Sequence, residues 1–554
     1  MWVLSVFLCT LLINNMFGIA DSSDIAEQGL YRQSDHVVIL AKSNFQQKVY
    51  GQNHAILIQF YNSFCGHCKA FSSKYKTLAK EIIHWKKAIQ LAVCDCSVEE
   101  NISICREFEI LSYPSMRYLH RNYMQGNIGK QMHLPSTAAD LKAQLITQLQ
   151  EDQSANNLQH IPHLGIASYA TLETALANMP NNVKHIFLVF ENSNSTLGSE
   201  LILDTLDYEN VLVKRVFFTS ELAFTAGVRR APSIVVVNHN HQFIPLNPRN
   251  SKREEFLNAI NNYLKSHSYE FPHNQIDNEP GQDNGIDNNL VLGDVVYLSD
   301  LEKTIRSSLR TEVVRYKVLN GEVLQALTAY LDVLVLNFPF KANGLAYMQE
   351  LRNNVLSKSS WDGPELFDLI DKLEVKHNPV YSTDLKYIGC KGSEPRFRGY
   401  TCGLWTLFHT LTVNAANHDH SGPHVLRAMH GYVKHFFGCT ECSEHFQQMA
   451  AKNRLFDVKE NDRAVLWLWV SHNEVNLRLA GDLTEDPYFP KIQFPAVERC
   501  SSCRLVRGAW NLTAAYNYLQ NMYYIGRDNG SSFSIIPNQL FRFCYLKLIK
   551  NLFI

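Results

Sequence analysis

The sequence predicts a multidomain chain with two α/β units in its first half and an all-α, helix-rich second half. Three observations predict it. Up to residue 270, apolar runs of strand length alternate with amphipathic helical stretches, the mark of an α/β layer structure. The order of those runs repeats once within that half. Beyond residue 290 the apolar spacing is helical almost throughout. The 554 residues allow about three to five domains at ~150 residues each. A net charge of -1, from 52 Lys+Arg against 53 Asp+Glu, gives no electrostatic footprint for nucleic acid or an anionic membrane.

In the first unit, residues 30–150, the run 55–61 is a buried strand, followed by Cys65-Gly66-His67-Cys68 and an amphipathic helix over 69–85. A strand at 89–93 precedes a loop bounded by Cys96 and Cys105, and Pro114 opens another strand-like run to Leu119. The second unit, 160–270, repeats this weakly: 185–190 matches the first strand, and Pro232 opens 231–237 as Pro114 opens its run. Residues 191–196 stand where the cysteines would be, and no cysteine occurs between Cys105 and Cys390. The second copy kept its fold and lost its redox centre. Residues 271–290, rich in Asn, Asp, Gly and Pro, read as a linker. Helical spacing then marks 300–309, 323–336, 345–356 and 364–373, and continues through 389–503 with six cysteines.

Targeting signals agree on an oxidising compartment. Residues 1–20 carry no charge and end in Gly18-Ile19-Ala20 before Asp21, as a cleaved secretory signal does. Asn101, Asn194, Asn511 and Asn529 open Asn-x-Ser/Thr sequons. The apolar stretch 535–554 is broken by Pro537, Arg542, Lys547 and Lys550 and reads, with 504–534, as a tail. The expected location is the secretory pathway (ER/Golgi) and the extracellular space, where disulfides persist.

Cysteine order carries the chemistry. Of 13 cysteines, six form three Cys-x-x-Cys pairs. A strand, the motif and then a helix put Cys65 at a helix N-terminus, where unpaired N–H groups and the macrodipole favour a thiolate. Cys68 one turn on makes a thiol–disulfide exchange centre, weighed against an inert disulfide and a zinc site. In the second half Cys439-Thr440-Glu441-Cys442 precedes a helix that carries His445. Trp405 and His409 are spaced i,i+4, and Trp469, His472, Asn473 and Asn476 share one helical stripe. Each stripe alone is ordinary core packing. Three around one Cys-x-x-Cys point to a planar, hydrogen-bonding cofactor. A zinc site from Cys439/Cys442 and Cys500/Cys503 is disfavoured, since their separation far exceeds the ~15–20 residues of zinc ribbons. No metal is expected.

The first unit resembles the thioredoxin fold as used in protein disulfide isomerases. That resemblance implies a cis-proline at Pro114 facing the cysteines, and an aromatic before Cys65, usually Trp and here Phe64. Residues 387–503 resemble the Erv/ALR sulfhydryl oxidase domain, an FAD-binding helical bundle, on the motifs 397–409 and 437–442. A thioredoxin unit joined to such a bundle is the architecture of the quiescin sulfhydryl oxidases. The resemblance runs from about residue 30 to 510. It implies FAD contacts at Arg398, Trp405, His409, Glu441 and His445, then Trp469, His472, Asn473, Asn476, Lys491 and Phe494. Trp and His faces would sandwich the cofactor rings, and Arg398 and Lys491 would neutralise its phosphates. It implies a flavin-proximal Cys439–Cys442 disulfide with Cys442 nearest the flavin, and structural bridges Cys96–Cys105 and Cys390–Cys402. Cys500–Cys503 is read as a third bridge, a brace in preference to a relay. Cys94 and Cys544 are left over, and Cys94, in an apolar strand, reads as an inert buried thiol. Residues 291–385 take the place of a degenerate second Erv-like copy, so a monomer with an internal pseudo-dimer is expected.

The function these expectations support is an FAD-dependent thiol oxidase that makes disulfides in reduced, cysteine-containing proteins. Electrons would pass from Cys65/Cys68 to Cys439/Cys442, to FAD and to O₂, giving H₂O₂, with the 271–290 linker as hinge. The attacked sulfur is expected to be Cys65, as the more exposed one. The alternatives are an isomerase-like thiol–disulfide oxidoreductase without flavin activity, and a non-enzymatic extracellular binding protein.

Overall fold

The computed structural model describes residues 29–177, 179–238, 240–272, 294–418 and 421–526. The signal segment, nearly all of the linker, Asn529, Cys544 and the apolar C-terminal run lie outside the described residues.

The first unit is a five-stranded sheet, with β1 (Val38–Leu40), β2 (Ala55–Tyr61), β3 (Ile89–Asp95), β4 (Ser115–Leu119) and β5 (Lys130–Met132) in the order β1-β3-β2-β4-β5. Strands β1, β3 and β2 run parallel, while β4 and β5 are antiparallel. All seven residues of β2 are buried, which is why its sequence is apolar on both faces, as in a covered central strand. Helix α1 (Gly66–Glu81) follows and buries Cys68, Phe71, Tyr75 and Leu78, a stripe at spacings of three and four. The expected 69–85 helix thus starts three residues earlier. It stops at Glu81, because Ile82 leaves the helical region (φ -108°, ψ 22°) and 83–85 form a 3₁₀ turn. Helix α2 (Ala138–Ser154) closes the unit.

The second unit repeats the layout. Strands β6 (His185–Glu191), β7 (Val211–Phe217), β8 (Ser233–Val237) and β9 (Phe243–Leu246) are ordered β7-β6-β8-β9. A single parallel bridge from Ala167 to Val216 stands where the first unit has its edge strand. Helix α3 (Leu197–Asp204) follows β6 and α4 (Arg253–Ser266) ends the unit. At the position of the lost cysteines the Glu191 carboxylate accepts from Gly198 N–H and Ser195 Oγ and pairs with Arg215 Nε at 2.5 Å. A buried ion pair at a helix start has replaced a redox pair. The two units share one continuous core, and Trp85 Nε1 donates across it to Asp204 Oδ1 at 2.8 Å.

The second half is helical, built from α5 (Leu298–Ser307), α6 (Gly321–Asn337), α7 (Ala342–Leu356), α8 (Gly363–Lys376), α9 (Gly399–Asn417), α10 (Gly422–His435), α11 (Thr440–Lys452) and α12 (Asn461–Leu479). A two-stranded ribbon, Val318–Asn320 against Ser360–Asp362, is too short to have been visible as sequence periodicity. Residues 511–523 correct one expectation. The supposed tail contains α13 (Leu512–Tyr523), which Asn511 caps by accepting from Ala514 N–H and which buries Ala515, Leu519 and Tyr523. It belongs to the same core as α9 and α12. The spacing 515, 519, 523 was legible as one helical face.

Leu519→Ala is expected to destabilise the helical unit by about 2–5 kcal/mol, the range for a fully buried leucine. Denaturant unfolding followed by tryptophan fluorescence checks it. A loss below about 1 kcal/mol would mean that α13 is peripheral.

Candidate functional site

Strand β2 delivers Cys65 to the N-terminus of α1, where its Sγ accepts from Cys68 N–H at 3.4 Å. Both cysteines are free thiols, with Cys68 fully buried and Cys65 3% exposed. Burial pushes the Cys68 thiol well above its ordinary range. Cys65 is the more exposed of the two, as expected, but it is nearly enclosed because another part of the chain covers it. The Tyr113–Pro114 peptide is cis, and the Tyr113 carbonyl lies 3.8 Å from Cys65 Sγ.

The covering surface is the second Cys-x-x-Cys. Cys439 and Cys442 are joined in a disulfide, and Cys439 occupies the N-cap position of α11 and is 3% exposed. Tyr113 N–H donates to Gly438 O at 2.7 Å, and Tyr113 and Cys439 form a parallel β-bridge. A strand-like contact thus sets one redox motif against the other. A Cβ on Gly438 would lie 2.0 Å from Arg315 Nη1 and 2.5 Å from the Tyr113 ring, so only glycine permits the approach. Phe64 plugs the other side of the joint, against Gly399 (φ +44°), and Thr401 Oγ1 donates to its carbonyl at 3.4 Å. Glu441, expected beside a cofactor, faces His67 of the first motif at 3.7 Å. Lys69 also faces the joint, 5.2 Å from the Phe397 ring, and burial lowers its pKa to about 8.

Beyond Cys442 the expected aromatic residues converge. Trp405 stacks on His472 with ring centroids 4.2 Å apart and planes 7° apart. His409 Nε2 is 3.1 Å from His472 Nδ1, and Tyr523, which sequence reasoning placed in the tail, stacks on His409 at 4.7 Å. These rings form one wall. They are not the two jaws of a sandwich, since a ring between Trp405 and His472 would need about 7 Å, two contacts of ~3.5 Å. Three further residues strap the 492–494 segment. Trp469 Nε1 and Asn473 Nδ2 donate to Phe494 O at 2.6 and 2.8 Å, Phe494 N–H donates to Asn473 Oδ1 at 2.7 Å, and Asn476 Nδ2 donates to Ile492 O at 3.1 Å. His445 Nδ1 lies 2.8 Å from the Glu441 carbonyl, within its own helix.

Cations gather beside the wall. Arg398 has φ +59°, packs over the Phe489 ring at 4.2 Å, and keeps a buried Nε without a partner. Burial lowers the pKa of both Arg398 and Lys491. A planar aromatic wall, partly desolvated cations and an orphaned donor fit a ligand that joins flat aromatic rings to anionic phosphates. FAD is such a ligand.

Comparison with known proteins agrees. Family models match in chain order: thioredoxin over 36–146, the QSOX Trx-like domain over 160–262, the flavin adenine dinucleotide (FAD)-dependent sulfhydryl oxidase over 293–393, and the Erv1/Alr family over 402–495. Sulfhydryl oxidase 1 of Gallus gallus is 35% identical over 520 residues, spanning 90% of this chain and 68% of that protein. The chain belongs to the quiescin sulfhydryl oxidase family. Sulfhydryl oxidase 2 of Homo sapiens is 32% identical over 526 residues, 90% of this chain and 73% of its own length. The solved sulfhydryl oxidase fragment of human QSOX1 is 40% identical, covering 42% of this chain and 95% of that one, with a TM-score of 0.39.

Six further cysteines are paired as Cys96–Cys105, Cys390–Cys402 and Cys500–Cys503. Cys503 is fully buried and Cys500 8% exposed, the environment of a brace. Cys94 is a buried thiol that desolvation pushes far up. Among the described residues no helix is long and apolar enough to cross a membrane. The sequons divide. Asn194 is exposed and Asn511 half-buried. Asn101 is 3% exposed, with Oδ1 accepting from Lys42 N–H at 3.0 Å and Nδ2 donating to Asp95 O at 3.0 Å, which leaves no room for a glycan. That expectation is corrected.

Two outcomes follow for measurement. Glycopeptide mass spectrometry of protein expressed through a secretory pathway should find Asn194 occupied and Asn101 bare; a glycan on Asn101 would contradict its burial. Burial lowers the pKa of His472 to about 3 and that of His409 well below the usual range. The unfolded chain takes up these protons near pH 6.5 and the folded chain does not. Their contribution is therefore complete above pH ~6.5 and is lost as pH falls toward about 3. Melting temperature should fall less steeply between pH 7 and 4 in His472→Phe than in the parent; equal slopes would contradict the assignment.

Proposed function

We propose that the chain oxidises pairs of thiols in reduced proteins to disulfides, as an FAD-linked sulfhydryl oxidase with two cysteine pairs in series. The observation that carries this reading is the Tyr113–Cys439 backbone pairing, which faces the free thiols of Cys65/Cys68 toward the Cys439–Cys442 disulfide. That is the redox state from which electrons would next cross between the units. The matched FAD-dependent sulfhydryl oxidase model weighs against an isomerase without flavin activity, and the paired redox motifs weigh against a mere binding scaffold.

The reaction balances as two exchanges. A substrate thiolate attacks Cys65 of the oxidised pair, releasing Cys68 as thiolate. A second substrate thiolate attacks the mixed disulfide, leaving a substrate disulfide and two enzyme thiols. Undocking of the helical unit exposes Cys65 for this step; docking buries it for the next. Cys65 then attacks Cys439, the S–S bond to Cys442 breaks, and Cys68 resolves the Cys65–Cys439 bond. Cys439 and Cys442 are left as the dithiol. FAD held at this site would supply the two-electron acceptor that lets Cys439 and Cys442 close again as a disulfide, with O₂ as the terminal acceptor, reduced to H₂O₂. Trp405, His409, His472 and Tyr523 would hold its rings, and Arg398 and Lys491 its phosphates. Each exchange runs between neighbouring couples, so about 30 mV shifts an equilibrium tenfold. The reading places the protein in the secretory pathway and outside the cell as a monomer, with 291–385 packed in the place of a second Erv-like subunit.

Purified protein is expected to be yellow, and to consume O₂ with a reduced protein substrate. Cys65→Ser and Cys442→Ser should each cut that consumption by at least about 100-fold. A colourless, metal-free preparation contradicts the oxidase reading, and full activity in both variants contradicts the relay.

A further inference from the structure

The segment after α5 is irregular: Ser308–Glu312 is a π-helical turn and Val313–Arg315 a 3₁₀ turn. It carries a buried ion pair, Glu312 Oε2 to Arg315 Nη1 at 3.0 Å, with the two residues 3% and 1% exposed. Being three residues apart, they satisfy only part of each other's capacity. The rest reaches outward in both directions.

Toward the thioredoxin unit, Glu312 Oε1 accepts from Asn62 Nδ2 at 3.2 Å, and the Arg315 guanidinium lies 5.2 Å from the Tyr113 ring centroid. Toward the helical redox motif, Arg315 Nη2 donates to Phe436 O at 3.0 Å, and the Gly438 backbone N–H favours the charged form of the Glu312 carboxylate. Asn62 is three residues before Cys65, its carbonyl accepts from Cys65 N–H at 3.0 Å, and its Oδ1 accepts from Phe64 N–H at 2.9 Å. Phe436 and Gly438 lie three residues and one residue before Cys439. The outward contacts named here all end within three residues of a redox cysteine or on Tyr113, which pairs with Cys439.

We propose that Glu312 and Arg315 are positioning residues that lock the two Cys-x-x-Cys motifs in register for thiol exchange between the units. Docking takes both charges out of water together, a step that is costly unless both are paired and hydrogen-bonded. The contacts from Asn62 and Tyr113 add to that pairing only when the units are docked, with Arg315 Nε alone left without a partner. The pair therefore favours closure and fixes its geometry, while touching neither substrate nor sulfur. This rests on the two-pair relay proposed above.

The test uses the full chain with Cys68→Ser and Cys442→Ser, so that Cys65 and Cys439 alone remain of the two motifs. A mild thiol oxidant such as diamide removes two electrons and two protons from them to form the Cys65–Cys439 disulfide, scored by peptide mass spectrometry against time. Glu312→Gln sets two amide donors against each other, that of Asn62 and the one the substitution introduces. Asn62→Asp sets two carboxylates against each other and keeps the acceptor for Phe64 N–H. Each is expected to slow trapping about tenfold or more. The double variant Asn62→Asp/Glu312→Gln exchanges donor and acceptor, and is expected to recover to within about threefold of the parent. That recovery is a readout which a merely structural role would not produce, and it requires that both substituted chains fold. Single variants that trap at the parent's rate overturn the proposal, as does a double variant no faster than the slower single. Failure of the parent to form the disulfide overturns the relay instead.

Discussion

The amide of Tyr113 donates to the carbonyl of Gly438 across 2.7 Å, and the joint between the two redox motifs is organised around that bond. It brings the residue before the cis peptide against the residue before Cys439. Gly438 has no side chain to hold the strands apart, and Phe64 fills the space opened by Gly399. Two cysteine pairs more than 370 positions apart in sequence thereby become neighbours within one interface. Thiol exchange demands direct attack of one sulfur on another, so no chemistry between the pairs is available without such a contact.

Around this bond the helical unit presents charge to the thioredoxin unit. Arg306 and Arg310 both pair with Glu99 at 2.7 and 2.5 Å, Arg106 Nε donates to Val314 O at 2.8 Å, and Lys317 pairs with Glu109 at 2.5 Å. Partly exposed pairs of this kind contribute little stability individually, but they fix orientation. Glu312 and Arg315 differ in being fully enclosed. The interface thus combines outer contacts with one buried pair that gains Asn62 and Tyr113 as neighbours only on closure. A surface that must open to admit substrate thiols and close to pass electrons has reason to be polar at this point.

Much of this was legible in the sequence, and what escaped has physical reasons. The strand–Cys-x-x-Cys–helix order and the apolar spacing of α5 to α8 are local patterns, so the architecture and the redox cysteines were visible. The second unit's loss of cysteines was visible too, though not that Glu191 and Arg215 had taken the site over. The aromatic residues Trp405, His409 and His472 do converge, but spacing along helices says nothing about whether two rings face a ligand or each other. Asn473 and Asn476 share a helical stripe in the sequence, but spacing does not show that Asn473 and Asn476 Nδ2 also hold the 492–494 backbone. Tyr523 was missed because a short amphipathic helix beyond the motif-bearing region reads as tail. Glu312, Arg315 and Asn62 carry no motif, since their roles exist only where three distant segments meet.

The central claim is that the thioredoxin motif docks on the helical motif through the Tyr113 backbone. Tyr113 N–H has its acceptor, Gly438 O, in the other unit, so its hydrogen exchange reports docking directly. The measurement is amide exchange at Tyr113 in the full chain with Cys65/Cys68 reduced and Cys439–Cys442 oxidised. Exchange slowed at least about tenfold relative to an unstructured peptide is predicted. Exchange at the unprotected rate would contradict the docked arrangement from which the mechanism is built.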